Sequence, residues 1–262
     1  MLQKLKKQPL LTSLLIVVLY ALWFIVPMLY KGIDPNAKGI NGIDGALSMW
    51  SSEVITAIVL IIILSILGWW ENIGFQKIKK GGVKFLLPMI IIALIIIDLA
   101  WVSDESGKWF IGFDSPLQLL SLLGVIVLLG FVEEGIFRGI LFYGFKTKFT
   151  PFFTVTLTSL IFGIFHFVNL FEGAEFNATL YQAIHAGAMG FLYASLRLKI
   201  GAIWPLMLIH GFWDFSIFVL QSTLITNTTG ELSATQGLSV SVPALVYGIF
   251  IYWSWYRKQY QN

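Results

Sequence analysis

The chain has 262 residues, 57% of them hydrophobic and only 12% charged, with a mean hydropathy of +0.82 and a formal net charge of +3. That charge content is about half the ~25% usual in a soluble domain and cannot cover a water-facing surface of this size, so part of the solvent is lipid. No cysteine is present, which excludes disulfides, thiolate metal sites, cysteine nucleophiles and iron–sulfur clusters, and the basic residues stand in short runs beside apolar stretches, which argues against a nucleic-acid partner.

A membrane-spanning helix needs roughly 20 mostly apolar residues. Eight stretches qualify as candidates, at 10–30, 53–70, 85–103, 117–145, 151–171, 179–196, 201–222 and 239–256. The fold class expected is all-α: a polytopic transmembrane bundle of about eight helices. Three parts are expected: residues 1–116 with the first three helices, a core at 117–222 with helices four to seven, and residues 223–262 with a polar loop and the last helix. Lys4, Lys6 and Lys7 before the first stretch resemble the start of a signal peptide. The apolar run is too long for one and no small-residue cleavage site follows, so a retained helix is expected.

Eight helices make alternating loops. One side then carries Lys4, Lys6, Lys7, Lys77, Lys79, Lys80, Lys84, Lys146, Lys148, Arg197, Lys199, Arg257 and Lys258, which is 13 of the 17 basic residues, while the other carries Lys31, Lys38 and Lys108. This asymmetry predicts that both termini are cytoplasmic. The acidic residues mostly fall in the outer loops, among them Asp34, Asp44, Asp104, Glu105, Asp114, Glu172, Glu175 and Glu231, with Glu53 at a helix end.

An ionisable group at mid-bilayer costs at least about 2.5–3.5 kcal/mol, so each one asks for a partner or a task. Within the predicted helices they are Asp98, Glu133, Glu134, Arg138, His166, His185, His210 and Asp214, which include all three histidines. On the fourth helix, Glu134 and Arg138 are four apart and can pair on one face. Glu133 is turned by about 100° from Glu134 and has no local partner, and two adjacent carboxylates suit a group that must take up a proton. On the fifth helix, Phe162 and His166 share a face, with Asn169 a turn later. On the seventh, His210 and Asp214 share a face, so the carboxylate can orient the imidazole, or both can meet a metal or an intermediate. His185 and Asp98 lie near outer helix ends, where polar groups reach water.

Carboxylates, an arginine and histidines converging in a bundle interior provide what hydrolysis needs: a base for water, donors for an oxyanion and an acid for the leaving amine. No H-E-x-x-H or G-x-S-x-G motif is present. Water, activated by a glutamate and a histidine, is therefore the expected nucleophile, with or without a divalent metal such as zinc. Two other readings stay open: a non-catalytic immunity or scaffold protein that binds a partner in the membrane, and a proton-coupled transporter, against which the lack of repeated halves counts mildly.

The blocks Glu133-Glu134-x-x-x-Arg138, Phe162-x-x-x-His166 and His210-x-x-x-Asp214 occur in order, with Gly187-Ala188-Met189-Gly190-Phe191-Leu192-Tyr193 and Gly201-Ala202-Ile203-Trp204-Pro205 between the last two. Over roughly residues 117–222 the chain resembles the CPBP family, also called the Abi or type II CAAX-protease family, of intramembrane peptidases. The resemblance implies that Glu133 with His166 activates a water, that Glu134 and Arg138 hold the site together, and that His210 and Asp214 steady the oxyanion. Family members often carry Asn at the last position. An ionised Asp cannot donate a hydrogen bond, so Asp214 must be protonated, orient His210 or bind metal. The resemblance further implies a membrane-associated peptide or protein substrate in a bacterial cell membrane and, for relatives, self-immunity to bacteriocins.

Overall fold

The structure is a computed structural model and describes residues 2–31, 42–104, 107–225 and 234–260. Asp34, Lys38, Glu105 and Glu231 lie outside the described residues, as does most of the polar stretch before the last helix. Eight long helices form the bundle: α1 (Pro9–Lys31), α2 (Trp50–Leu67), α3 (Leu87–Val102), α4 (Pro116–Glu134), α5 (Pro151–Phe165), α6 (Phe176–Ile200), α7 (Trp204–Ile225) and α8 (Ala234–Tyr260).

Local chemistry sets the starts of α4 and α5. Ser115 and Thr150 cap them by accepting from the backbone N–H groups of Gln118 and Phe153, and Pro116 and Pro151 fill the first helical position. Gly201, at φ 82°, ends α6 in the left-handed region. α4 does not stop at Glu134. It continues as a π-helix, Gly135–Leu141, and then as Phe142–Lys146. The helix passes through Gly130 without a break.

Among the described residues five segments are long and apolar enough to cross a bilayer: Pro9–Pro27, Trp50–Leu67, Val83–Val102, Pro116–Lys146 and Pro151–Phe171. The other three predicted spans are present as helices, but they are more polar. α6 carries His185, Arg197 and Lys199, α7 carries His210 and Asp214, and α8 ends in Arg257 and Lys258. The bundle is apolar outside and polar within. Leu19, Ile62, Ile95 and Leu120 are exposed, while Glu134, Arg138, Ser159 and Ser195 are buried. A water-soluble protein shows the opposite, and this chain is an integral membrane protein.

Glycines set the helix crossings that build the interior. A Cβ on Gly130 would fall 2.3 Å from the Met207 carbonyl oxygen, and one on Gly211 would fall 2.6 Å from that of Ile126. α4 and α7 thus touch backbone to backbone. α5 and α6 do the same at Gly163, where a Cβ would lie 2.7 Å from the Ala183 oxygen. Small residues at such crossings let polar side chains on neighbouring helices meet. On the other side of α4, the Trp50 ring would be 2.6 Å from a Cβ on Gly124, and the Leu60 side chain 2.8 Å from one on Gly135. α2 and α4 therefore run parallel and in step.

At the end of the bundle rich in lysine, the loop after α2 is tied to the turn between α6 and α7. Lys79 N–H donates to the Ile200 carbonyl (2.8 Å), Gln76 to that of Gly201 (2.6 Å), and Ile203 N–H to that of Gly74 (2.9 Å). Arg197 donates to the carbonyls of Ile73 (3.0 Å) and Gly201. It is a buried residue that satisfies helix-end carbonyls, not a free loop charge as its position in the sequence implies.

Candidate active site

Glu133 and Glu134 stand at the junction where α4 turns into a π-helix. Such segments widen the turn by one residue and are frequent at functional sites. Glu134 is fully buried, and its Oε1 lies 3.0 Å from Arg138 Nη1, the i, i+4 ion pair expected from spacing. The contact is charge pairing without hydrogen-bond alignment, since among the described residues neither terminal nitrogen of Arg138 has a hydrogen-bond partner. The guanidinium instead stacks 3.9 Å over the Phe162 ring and lies 5.5 Å from that of Tyr193.

The crossing at Gly130 and Gly211 places His210 beside both glutamates. Its Nδ1 is 2.8 Å from Glu134 Oε1, and its Nε2 is 3.5 Å from Glu133 Oε2 and 3.4 Å from Asp214 Oδ2. With both ring nitrogens facing carboxylates, the assignment that fits the network is an imidazole donating on each side. Tyr193 stacks on the same ring at 5.2 Å. Glu133 and Asp214 keep 14% and 20% side-chain exposure, while Glu134 has none, so the two that can meet a substrate are the two that share Nε2.

His166 sits apart. α5 ends at Phe165, and Phe167 and Asn169 follow it in a 3-10 turn, His166–Glu172. Its Nδ1 is 2.8 Å from the Phe162 carbonyl, which makes Nδ1 the donor and leaves Nε2 as an acceptor. The Phe162 ring lies near both histidines: the His166 ring meets its edge at 4.8 Å, and the His210 ring lies 6.3 Å from it. Among the described residues no hydrogen bond or ion pair joins His166 to Glu133. The structure therefore brings Glu133, Glu134, Arg138, His210 and Asp214 into direct contact, with His166 against Phe162, the ring over which Arg138 stacks. His185 is elsewhere, 3.0 Å from Ser241 Oγ and stacked on Trp213. Asp98 is exposed on α3.

Sequence position does not reveal Glu53. It reads as a helix-end charge, but its exposure is 0% and, among the described residues, neither carboxylate oxygen has a hydrogen-bond partner. It is in the first turn of α2, where the helix dipole favours an anion by about 0.3–1 kcal/mol. That does not offset the at least ~2.5–3.5 kcal/mol that an unpaired charge costs at membrane depth. Glu133 acts electrostatically on Glu53 and on the buried Tyr20 of α1. The signal available in the sequence was only a carboxylate within an otherwise apolar run.

Among the described residues no group of three or more His, Asp or Glu is arranged to hold a metal ion. The carboxylates surround His210, whose nitrogens face them as donors and not as ligands. A zinc ion does not fit the set as it stands.

An acid–base cluster enclosed by glycine-crossed helices lies inside this integral membrane protein. Residues 115–216 match the family described as Type II CAAX prenyl endopeptidase Rce1-like, and over that stretch the chain carries a domain of this family, known also as CPBP or Abi. It is a family of integral membrane proteases, which implies a protein or peptide substrate. No curated protein and no solved structure matches the chain.

Proposed function

We propose that this protein is an intramembrane endopeptidase that hydrolyses a peptide bond of a membrane-associated peptide or protein, with Glu133 as the base that activates water. The observation that carries this reading is the division of labour between the adjacent glutamates. Glu134 is enclosed and held by Arg138 and His210, whereas Glu133 keeps an exposed edge and only a long contact to His210. A base must reach water and must not already be neutralised. Glu133 meets both conditions and Glu134 meets neither.

In this reading Glu133 takes a proton from the attacking water as its oxygen bonds to the scissile carbonyl carbon. His210, fixed through Nδ1 by Glu134, offers its Nε2 hydrogen to the carbonyl oxygen as negative charge develops there. Glu133 then returns its proton to the amine as the C–N bond breaks. Asp214 orients His210 from the neighbouring turn, which is the role its 3.4 Å contact supports best. His166, an acceptor at Nε2, helps to hold the water. Both termini face the cytoplasm.

The test is cleavage of a tagged peptide library by the purified protein in liposomes, wild type beside Glu133→Gln, with and without chelator. The expected result is a loss of about 10²–10⁴-fold in the variant and none with chelator. Equal cleavage by both proteins removes Glu133 from the mechanism. No cleavage by either, with a biological effect that survives Glu133→Gln, moves the reading to a non-catalytic immunity or scaffold protein.

A further inference from the structure

We infer that Glu53 is a fourth carboxyl group of this site, beside Glu133, Glu134 and Asp214, held as the neutral acid, and that its proton leaves Glu133 free to be the ionised member of the Glu53–Glu133 pair. This rests on the reading of Glu133 as the base. Glu53 is wholly buried and, among the described residues, has no hydrogen-bond partner on either oxygen. The titratable groups that act on it or share its neighbourhood are Glu133 from α4 and Tyr20 from α1, and neither is a cation. The nearest permanent cation of the site, Arg138, is already placed between Glu134, Phe162 and Tyr193. An enclosed carboxyl group with no cation and no donor retains its proton.

The helix register puts this acid close enough to matter. Trp50 meets position 124 and Leu60 meets position 135, so Glu53 stands opposite position 127 or 128. That is about 8 Å from Glu133 along the axis at 1.5 Å per residue. Tyr20 is within electrostatic range of both carboxyl groups, and its ring stacks on Phe165 at 4.9 Å. Of two carboxyl groups this close in a low-dielectric interior, the one without a cation or donor beside it keeps the proton, and Glu133 is the one with His210 at 3.5 Å. Glu53 is a positioning residue: it touches no reacting atom and acts through the charge state of Glu133.

The direct test is infrared spectroscopy of the purified full chain at neutral pH, comparing wild type with Glu53→Gln. The expected result is a protonated-carboxyl band in wild type that the variant lacks. Identical spectra overturn the proposal, and because no substrate is involved this outcome is independent of whether the protein is a peptidase. If Glu53→Gln does not fold, the Glu133→Gln/Asp214→Asn double variant decides: the band survives there if it belongs to Glu53, and its disappearance overturns the assignment. In the cleavage assay, Glu53→Gln is neutral at every pH. It is expected to stay within about threefold of wild type near neutral pH and to lack the alkaline change in rate that ionisation of Glu53 produces. Superimposable pH profiles, or a hundredfold loss in a folded variant, overturn the coupling.

Discussion

At the scale of single residues, the Glu134 carboxylate has two neighbours that need it. Glu134→Gln leaves Arg138 buried without a counter-charge and is expected to destabilise the protein by about 3–5 kcal/mol, read as a lowered unfolding midpoint in detergent. Replacing both partners, as Glu134→Leu with Arg138→Met, is expected to recover most of that stability and none of the cleavage. Asp214→Asn keeps an acceptor toward His210 Nε2, so cleavage is expected to remain within about tenfold of wild type, whereas Asp214→Ala falls by 10–100-fold. The Glu134–Arg138 pair and the alignment of His210 with Asp214 were legible in the sequence, because i, i+4 spacing on a helix dictates them. The joining of His210 to both glutamates was not, since it depends on where two helices cross. Glu53 was not legible either: distance from a helix end does not say whether a side chain faces water or the interior. The pairing of Glu133 with His166, implied by the family resemblance, is not a direct contact among the described residues, where Glu133 meets His210.

At the scale of elements, the glycines divide by what a methyl group would meet. Gly130→Ala drives a carbon into the α7 backbone, which cannot yield as a side chain can, and is expected to cost about 1–3 kcal/mol and to lower cleavage by separating Glu133 from His210. Gly187→Ala is the contrast. Its methyl would meet only the Ser159 oxygen at 3.9 Å, so the change is expected to be neutral, or stabilising by up to about 1 kcal/mol from helix propensity. Thermal unfolding of the two variants side by side checks both. The eight helices follow from hydropathy and lie close to their expected limits. The π-helix after Glu134 does not follow from it, because periodicity shows that a helix continues and not how its carbonyls are shared.

At the scale of the whole molecule, basic residues from distant parts of the chain gather at one end. Lys79 is held below the usual lysine range by desolvation and by Lys146, Arg197 and Lys258 nearby. A lowered lysine pKa means that the unfolded chain binds more protons in the interval below its ordinary value of about 10.4, so stability rises with pH across that interval. Lys79→Gln is expected to flatten that rise in a pH series of unfolding midpoints. We further propose that this end is cytoplasmic. Since the chain has no cysteine of its own, Lys77→Cys and Trp109→Cys serve as clean reporters. An impermeant thiol reagent outside intact cells is expected to modify Trp109→Cys and to spare Lys77→Cys.

The contact of Gly130 with Gly211 is also the point about which any rotation of α4 against α7 would displace the reacting groups least. A rotation of about 10° between α4 and α7 carries Glu133, three residues from that point, through less than ~1 Å, while helix ends some ~16 residues away swing through ~4 Å. Since a misplacement of about 1 Å can cost a hundredfold in rate, reacting groups belong near the fulcrum. Parting of the outer reaches of the two helices, as scissor blades part, would leave Glu133 and His210 in register near the rivet.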